Sequence, residues 1–539
     1  MKRTKKVAAP KRIDSQAAMT KAVKGICNIL RRDKAKGARL YVPELTWMLF
    51  LRFLDLQEEQ KQKRAAAQGD TFQPVLAAPY RWRDWAAPFD RAQNVEAQIE
   101  AQAQGWKRRQ LVEGRAKNAD GDKVGFIEFV NGDLFPQMQA LGEQPGATHL
   151  QKVVAEIFRT KERTVVASET NLQDALDRVH ALSEAEISDR HMFPISQAFE
   201  GLLPTLGEKK SDGGQFFTPR EVIRVIVDAV NPQLGDKVYD PSCGTGGFLI
   251  EAYKHFLRKN PTATQLESLK GDTLWGREDG EEVIPILLAN LALHEVHSPR
   301  VWHGNTLTNV ATYGDLWEGA PAQFQCILSN PPFGSKEGKD AQARFTFKCG
   351  KAQILFLQHL LDSLAEGGTC GMVIDEGVLF HTKTAAYVNT KRKLLDECDL
   401  WCVVSLPQGV FVNAGAGVKT DLLFFTKGRT TKRVWYYDMT LTPEFRPRKV
   451  NKSNPMLYDD FADFLMRLRL PADDPGRVSE RSWWVPIEDI KGRNFDLKAT
   501  NKNAPDLSDK RTPAQLMGII SEAQKEIAAG LLALGWSGK

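Results

Sequence analysis

Apolar residues recur at helical spacing through the first part of the chain. From residue 13 to about 200 this spacing predicts helices, most clearly between Leu40 and Leu56, where the apolar stripe ends in a charged run. Weaker helical patterns follow at 91–104, 133–141, 149–159 and 170–182. Segment 64–125 is rich in Ala, Gln and Gly and interrupted by Pro, which is typical of loops. We expect a helical N-terminal domain over residues 13–200.

The pattern changes between Leu202 and about Phe425, where short apolar runs alternate with helical runs. The runs that predict strands are Lys237–Tyr239, Thr273–Gly276, Cys326–Leu328, Cys370–Ile374, Trp401–Leu406 and Asp421–Thr426. Helical patterns lie between them near 247–258, 280–293 and 352–365. Strands that alternate with helices indicate an α/β fold with a parallel, doubly wound sheet. We place this domain at residues 201–444.

Residues 445–539 are expected to form a C-terminal extension. The part up to residue 505 is rich in Pro and aromatic residues and predicts irregular structure, whereas Pro513 to about Trp536 predicts one amphipathic helix. Its apolar side consists of Ile519, Ile520, Ile527, Leu531 and Leu532. A single helix of this kind must dock on its own domain or on a partner.

The net charge of +6 is unevenly distributed. Thirteen basic and two acidic side chains give residues 1–39 a charge of +11, which leaves about −5 for the rest of the chain. We treat residues 1–12 as a basic N-terminal arm. The charge is compatible with contacts to phosphates and equally with a solubilising tail.

Composition excludes several classes of protein. The apolar fraction of 42% and the charged fraction of 26% are those of a globular protein. Seven scattered cysteines do not form a disulfide framework and fit a reducing compartment. No secretory signal and no membrane-spanning stretch are visible. We therefore expect a cytoplasmic protein without a membrane partner.

The segment Asp240–Gly247, with sequence DPSCGTGG, follows a predicted strand and opens a predicted helix. Gly244, Gly246 and Gly247 permit a tight turn and a close backbone approach to a ligand. The free N–H groups of the following helix would face a carboxylate or a phosphate. The segment lacks the ending of a P-loop and does not match the dinucleotide fingerprint. It predicts an adenosine-containing cofactor.

A second motif, Asn330-Pro331-Pro332-Phe333, follows the predicted strand Cys326–Leu328. Because prolines have no N–H, the loop presents mainly acceptors. Asn330 adds an amide oxygen and Phe333 a flat face, which together suit a planar ring with an exocyclic amino group. By itself, an Asn-Pro-Pro tripeptide would more often be an ordinary Asx–Pro turn followed by a Phe in the core.

Together these motifs resemble the S-adenosylmethionine-dependent methyltransferases that modify the N6 position of adenine in DNA. Three further segments narrow the resemblance to the methylation subunit of type I restriction–modification systems: Gly214–Val222, Leu406–Phe411 and Lys419–Lys427. The resemblance covers most of the chain. It implies a Rossmann-like, doubly wound methyltransferase sheet with a helical N-terminal domain and a C-terminal helix.

The resemblance also implies the cofactor-binding residues. They are Gln215, Phe217, Thr218, Asp240, Cys243, Gly244, Gly246, Glu278 and Asn305. Glu278 stands where the family places the acid that binds the ribose hydroxyls, with Asp279 as a rival. Asn305 departs from the family, which usually has Asp at the position that contacts the adenine of the cofactor. Asn can still donate and accept hydrogen bonds.

The catalytic residues implied by the resemblance are Asn330, Pro331, Pro332 and Phe333. The side-chain oxygen of Asn330 and the carbonyl of Pro331 would accept the two hydrogens of the adenine amino group. The nitrogen lone pair could then attack the sulfonium methyl group, through positioning and electrostatics alone. No metal site is expected, because His294, His297 and His303 lack Cys or acidic partners at ligand spacing.

The implied partners are an adenine-containing DNA duplex and a specificity subunit, since no recognition domain is evident in the chain. The resemblance implies two copies of the chain per complex and allows a restriction subunit as a further partner. Two alternatives stay open at this point. One is a stand-alone methyltransferase of RNA or of protein glutamine, and the other is a non-catalytic scaffold on a methyltransferase fold.

Overall fold

A computed structural model gives the fold of the chain. It describes residues 16–33, 35, 37–90, 97–118, 120–184, 199, 218–296, 298–412, 417–442, 444–451, 453–505 and 511–536. The basic arm, residues 1–12, lies outside the described residues.

The N-terminal region is helical, as predicted. Its helices are α1 (Gln16–Arg32), α2 (Ala38–Gln68), α3 (Trp82–Trp85), α4 (Ala97–Glu100), α5 (Trp106–Val112), α6 (Phe126–Glu128), α7 (Phe135–Ala140), α8 (His149–Phe158) and α9 (Glu169–Glu184). The core forms around α2, where the Trp47 ring stacks on Trp85 and meets Phe135 edge-on. The charged run after Leu56 continues α2 instead of ending it, because Glu, Gln, Lys and Ala are all good helix formers.

Within the described residues, ten strands form one sheet in the order β10-β9-β7-β8-β6-β5-β1-β2-β3-β4. The strands are β1 (Val238–Asp240), β2 (Leu274–Glu278), β3 (Arg300–Asn305), β4 (Val310–Tyr313), β5 (Phe324–Ser329), β6 (Leu364–Asp375), β7 (Cys398–Ser405), β8 (Thr420–Lys427), β9 (Arg433–Asp438) and β10 (Ser482–Pro486). The neighbours from β6 through β5, β1 and β2 to β3 pair in parallel. Strands β4, β8 and β10 pair antiparallel with their neighbours.

All six predicted strands are present, and β3, β4, β9 and β10 were not predicted. Polar or aromatic residues interrupt these four, so they lack the apolar run of a central strand. The sheet is mixed rather than purely parallel. It also extends beyond residue 444, since β10 pairs with β9.

Helices cover both faces of the sheet, as doubly wound connections require. They are α10 (Arg220–Val230), α11 (Gly247–Arg258), α12 (Ala263–Gly271), α13 (Ile284–Leu293), α14 (Lys339–Ala343), α15 (Ala352–Ser363), α16 (Glu376–Phe380), α17 (Ala385–Glu397), α18 (Ala462–Leu468) and α19 (Ile487–Gly492). Successive strand residues alternate between the two layers: Val238 packs with the core of α10, α11 and α13, and Tyr239 with that of α15 and α17. The carboxyl ends of the parallel strands are thereby left for a site.

The helical region packs onto the sheet domain through α2 and α8, which both contact α13. Helix α8 also contacts β3: the Nδ1 atom of His303, on β3, lies 2.6 Å from the Glu156 carboxylate, on α8, and both side chains are 2% exposed. Arg159 bonds to Glu156 and, at 3.1 Å, to the exposed Glu281. The buried pair therefore ties the helical region to the strand that ends at Asn305.

The last helix, α20 (Pro513–Ala533), has no buried residue. Its exposed apolar side chains include Met517, Ile519, Ile520, Ile527 and Leu532. The predicted amphipathic helix is thus present and displays its apolar side to solvent. Among the described residues, no helix combines the length and the apolar content needed to cross a membrane.

The buried pair gives a test of how the two regions are joined. Changing Glu156→Ala leaves His303 buried without its partner, which should lower the free energy of unfolding by about 1–3 kcal/mol. The exposed Glu281→Ala variant is the control and should change stability by well under about 1 kcal/mol. Urea unfolding followed by circular dichroism measures both. Equal midpoints for the two variants would contradict a stabilising role for the His303–Glu156 contact.

Candidate active site

The glycine-rich turn lies between β1 and α11, at the carboxyl edge of the sheet. Gly244 and Gly246 have φ angles of 52° and 87°, which residues with a Cβ rarely adopt. The Gly246 N–H donates to the Cys243 carbonyl at 2.7 Å, and the Asn290 amide donates to the Thr245 carbonyl at 2.8 Å. The turn is therefore held from α13 as well as by its own backbone.

Glu278, at the end of β2, closes the other side of this turn. Its carboxylate accepts hydrogen bonds from the N–H groups of Gly244 and Gly280, each at 2.8 Å. Burial raises the pKa of Glu278 above its ordinary value, although these two N–H donors oppose the rise. The acid thus fixes the glycine-rich turn to the end of β2.

Asp240 and Cys243 lie in the interior of the turn. The Asp240 carboxylate is buried and accepts a hydrogen bond from the Ser242 N–H at 3.1 Å. Burial, with the nearby Glu278 as a smaller cause, raises the pKa of Asp240 well above its ordinary value. Burial also raises the pKa of the Cys243 thiol, which makes it a poor nucleophile. A cationic group bound beside Asp240 and Glu278 would favour the ionised forms of both carboxyl groups.

Asn305, at the end of β3, is tied to its surroundings through both side-chain atoms. Its amide nitrogen donates to the Asp279 carboxylate at 3.2 Å, and its oxygen accepts from the N–H groups of Leu307 and Thr308. An Asp at this position could cap the same turn, but its charge would face Asp279. The Asn305 amide therefore donates to Asp279, which an ionised carboxylate at this position could not do.

The Asn-Pro-Pro-Phe loop begins directly after β5. The Asn330 amide nitrogen donates to the Thr218 hydroxyl at 2.9 Å, and this directs the side-chain oxygen away from Thr218. That oxygen is buried and has no hydrogen-bond partner among the described residues. A buried acceptor without a partner is uncommon, and it marks a place where a donor is expected.

Two contacts join this loop to its neighbours. The hydroxyls of Ser329 and Ser242 lie 3.2 Å apart, linking the end of β5 to the glycine-rich turn. The Phe333 ring meets the ring of Phe411 edge-on, with centroids 5.4 Å apart. The structure therefore brings Asn330, the glycine-rich turn and the segment Leu406–Phe411 to one edge of the sheet.

Several residues singled out from the sequence either lie outside the described residues or bond to other parts of the fold. Gln215, Phe217 and His297 lie outside the described residues. His303 bonds to Glu156, and His294 bonds to the Asn290 carbonyl at 2.8 Å, so both have structural partners. The described residues contain no group of three or more possible metal ligands.

Other residues of the site were not predicted. The Thr306 hydroxyl donates to the Pro241 carbonyl at 2.8 Å, and the Arg344 guanidinium donates to the Leu307 carbonyl at 2.6 Å. The Gln353 amide donates to the Pro331 carbonyl at 3.2 Å. Thr306 follows Asn305 in the sequence, whereas Arg344 and Gln353 belong to no motif. Only the fold brings Arg344 to the segment after β3 and Gln353 to the Asn-Pro-Pro-Phe loop.

Comparison with protein families identifies the chain. Residues 189–510 match the family described as N-6 DNA methylase, and residues 19–179 match the HsdM N-terminal domain. The chain belongs to the N-6 DNA methylase family. The resemblance inferred from the two loop motifs is thereby confirmed.

Named relatives show which group of N-6 DNA methylases this chain is similar to. The chain is 29% identical to the type I restriction enzyme EcoEI methylase subunit of Escherichia coli, with 95% of each chain covered. It is 32% identical to the EcoKI methylase subunit of Escherichia coli strain K12 over 61% of each chain.

Solved structures agree with these relatives. A chain from a study of complex assembly and conformational transition in the type I restriction–modification system superposes with a TM-score of 0.71 at 33% identity, covering 97% of this chain and 98% of that one. A crystal structure assigned to a type I modification subunit from Vibrio vulnificus YJ016 gives a TM-score of 0.72 at 28% identity, covering 92% and 99%.

These matches show that the chain is an adenine-specific DNA methyltransferase related to type I modification subunits. The methyltransferase fold with a helical N-terminal region is confirmed. An RNA or protein-glutamine methyltransferase and a non-catalytic scaffold are not favoured.

The glycine-rich turn of this N-6 DNA methylase yields a stability prediction. A Cβ at Gly246 would lie 2.8 Å from Leu287 Cδ1 at a φ of 87°, whereas a Cβ at Gly235, with a φ of 105°, would meet nothing within 4 Å. Gly235→Ala should therefore be destabilised only by the strain of a positive φ, which costs about 1–2 kcal/mol of unfolding free energy. Gly246→Ala should lose about 1–3 kcal/mol more through overpacking. Urea unfolding measures the difference, and equal losses would contradict the close packing of the turn against α13.

Proposed function

We propose that this methylase transfers the methyl group of S-adenosylmethionine to the N6 amino group of an adenine in duplex DNA, within a complex whose specificity subunit selects the sequence. The observation that carries the proposal is the buried, unpartnered oxygen of Asn330 beside the donor-poor Pro331-Pro332 segment. An amino group is the ligand that such acceptors fit.

The residues around the glycine-rich turn suit S-adenosylmethionine. Gly244 and Gly246 permit close backbone approach, and Asp240 supplies an acid whose ionised form a cationic methionine part would stabilise. Glu278 is the proposed acid for the ribose hydroxyls. Asn305, at the end of β3, donates to Asp279, directly after β2, and both are candidates for binding the nucleoside part. Gln215, Phe217, Thr218 and Cys243 complete the proposed set. The bound cofactor supplies an electrophilic methyl group.

The proposed chemistry uses acceptors rather than a nucleophile of the protein. The bond from the methyl group to nitrogen would form as its bond to the sulfonium sulfur breaks, and the methylated nitrogen would then release one proton to solvent. The lone pair of the adenine amino nitrogen is delocalised into the ring, which makes the nitrogen a weak nucleophile. When Asn330 Oδ1 and the Pro331 carbonyl accept its two hydrogens, electron density returns to the nitrogen. Because Thr218 already holds the Asn330 amide, the acceptor does not reorganise when the base arrives.

A base inside a duplex cannot reach a buried acceptor, so the target adenine must be extruded. Unpairing costs a few kcal/mol. Stacking on an aromatic ring returns about 1–3 kcal/mol per base. Phe333 is half-buried and braced edge-on by Phe411, so its orientation is set before a base stacks on it. Further protein–DNA contacts supply the rest of the free energy that unpairing requires.

The exposed helix α20 is the proposed docking element for the specificity subunit. Its apolar side is formed by Ile519, Ile520, Ile527, Leu531 and Leu532. An apolar helix face left in solvent indicates a partner surface. Two copies of the chain per complex, and association with a restriction subunit, remain part of the proposal.

Asn330 provides the test of the amino-group clamp. Asn330→Ala should reduce methyl transfer by about a hundredfold or more, by analogy with loss of one preorganised hydrogen-bonding group. Cofactor affinity, measured by calorimetry, should be largely intact. The control is Asn501→Ala, which removes an exposed amide that donates to the Glu480 carbonyl. Near-normal turnover by Asn330→Ala would show that the clamp is wrong.

Partner dependence is tested with labelled S-adenosylmethionine and duplex DNA, with and without a specificity subunit encoded nearby. We expect label in adenine only when both proteins are present. Ile520→Asp with Ile527→Asp should abolish the complex and the labelling while leaving cofactor binding unchanged. Gly518→Asp places the same carboxylate on the side of α20 opposite Ile520 and Ile527 and should leave the complex intact. Label in RNA or protein instead would overturn the proposed substrate.

A further inference from the structure

Gln353 is a buried polar residue in an otherwise apolar stretch of α15. Its neighbours Ala352, Ile354, Leu355 and Leu357 are all buried in the core, and Gln353 itself is 4% exposed. A buried primary amide is costly unless its donor and acceptor atoms are both used. Its hydrogen bonds therefore indicate why an amide is present here.

Both ends of the Gln353 side chain bond to backbone groups at the carboxyl edge of the sheet. Its nitrogen donates to the Pro331 carbonyl at 3.2 Å, and its oxygen accepts from the Asp375 N–H at 2.8 Å. Asp375 ends β6 and caps the next helix by accepting from the Gly377 N–H. Gln353 thus connects the Asn-Pro-Pro-Phe loop to the end of the neighbouring strand.

The loop needs such a connection because of its own sequence. Pro331 and Pro332 have no N–H, so neither residue can donate a hydrogen bond that would fix the peptide plane between them. The carbonyl of Pro331 has two lone pairs. One accepts from Gln353, which sets the orientation of the carbonyl, and the other is left for a second donor.

We propose that Gln353 is a positioning residue that aims the Pro331 carbonyl at the adenine amino group. This inference rests on the proposed function, because it assigns Gln353 to the amino-group clamp. Thr218 and Gln353 then play matching roles: the first orients the Asn330 side chain, and the second orients the Pro331 backbone. Neither residue touches the target adenine in this arrangement.

The test compares Gln353→Met with Gln358→Met in the assembled complex. Gln358 is a second buried amide of α15, and it bonds to both backbone groups of Phe347 instead of to the catalytic loop. Gln353→Met should lower kcat about ten- to a hundredfold, the effect of a small misplacement, with little change in KM for the cofactor. Gln358→Met should leave kcat near the wild-type value.

Gln353→Glu keeps the shape of the side chain and adds a readout that packing alone would not move. A protonated Glu can donate to the Pro331 carbonyl, whereas an ionised Glu cannot. The kcat of Gln353→Glu, relative to wild type, should therefore rise as the pH is lowered. A flat ratio, or a wild-type kcat for Gln353→Met, would overturn the positioning role. Failure of the wild-type complex to methylate adenine would instead overturn the proposed function.

Discussion

The absence of N–H donors in Pro331-Pro332 is the constraint on which the site depends. A loop that cannot bond through its own backbone must be oriented from outside, and two side chains from distant segments do this. Thr218 precedes α10 and holds the Asn330 side chain, while Gln353 on α15 holds the Pro331 carbonyl. Because α10 and α15 pack on opposite faces of the sheet, both layers are needed to set a pair of acceptors at its edge.

The glycine-rich turn must also be held in one orientation, but here the backbone of the turn supplies hydrogen-bond donors. Its backbone N–H groups are available, and Glu278 accepts from one of them, that of Gly244, which fastens the turn to the end of β2. The N–H of Gly280, just after β2, holds the other oxygen of the same carboxylate. The Ser242–Ser329 contact then joins this turn to the Asn-Pro-Pro-Phe loop. One loop offers donors and acids and the other offers acceptors, which suits a cationic group on one side and an amino group on the other.

The sequence predicted the central strands because their apolar runs are buried on both faces, as in Cys326–Leu328. It did not predict β3, whose residues include Arg300 and His303, because these polar side chains find their partners only in the fold. Arg300 donates to the Gly271 carbonyl of α12, and His303 bonds to Glu156 of the helical region. Similarly, the motifs identified Asn330 but not Gln353. A single Gln in an apolar helix carries no spacing signal, and its role appears only when the fold brings it to Pro331.

The helical region and α20 contribute to this arrangement in different ways. The helical region is joined to β3 through the buried His303–Glu156 pair, only two residues before Asn305. A rotation of α8 would have to break that pair or displace the end of β3, so the helical region acts as a brace for this part of the site. Helix α20, in contrast, buries nothing within the described chain. Within the described residues the acceptor geometry is therefore set internally, while α20 leaves its apolar side chains exposed.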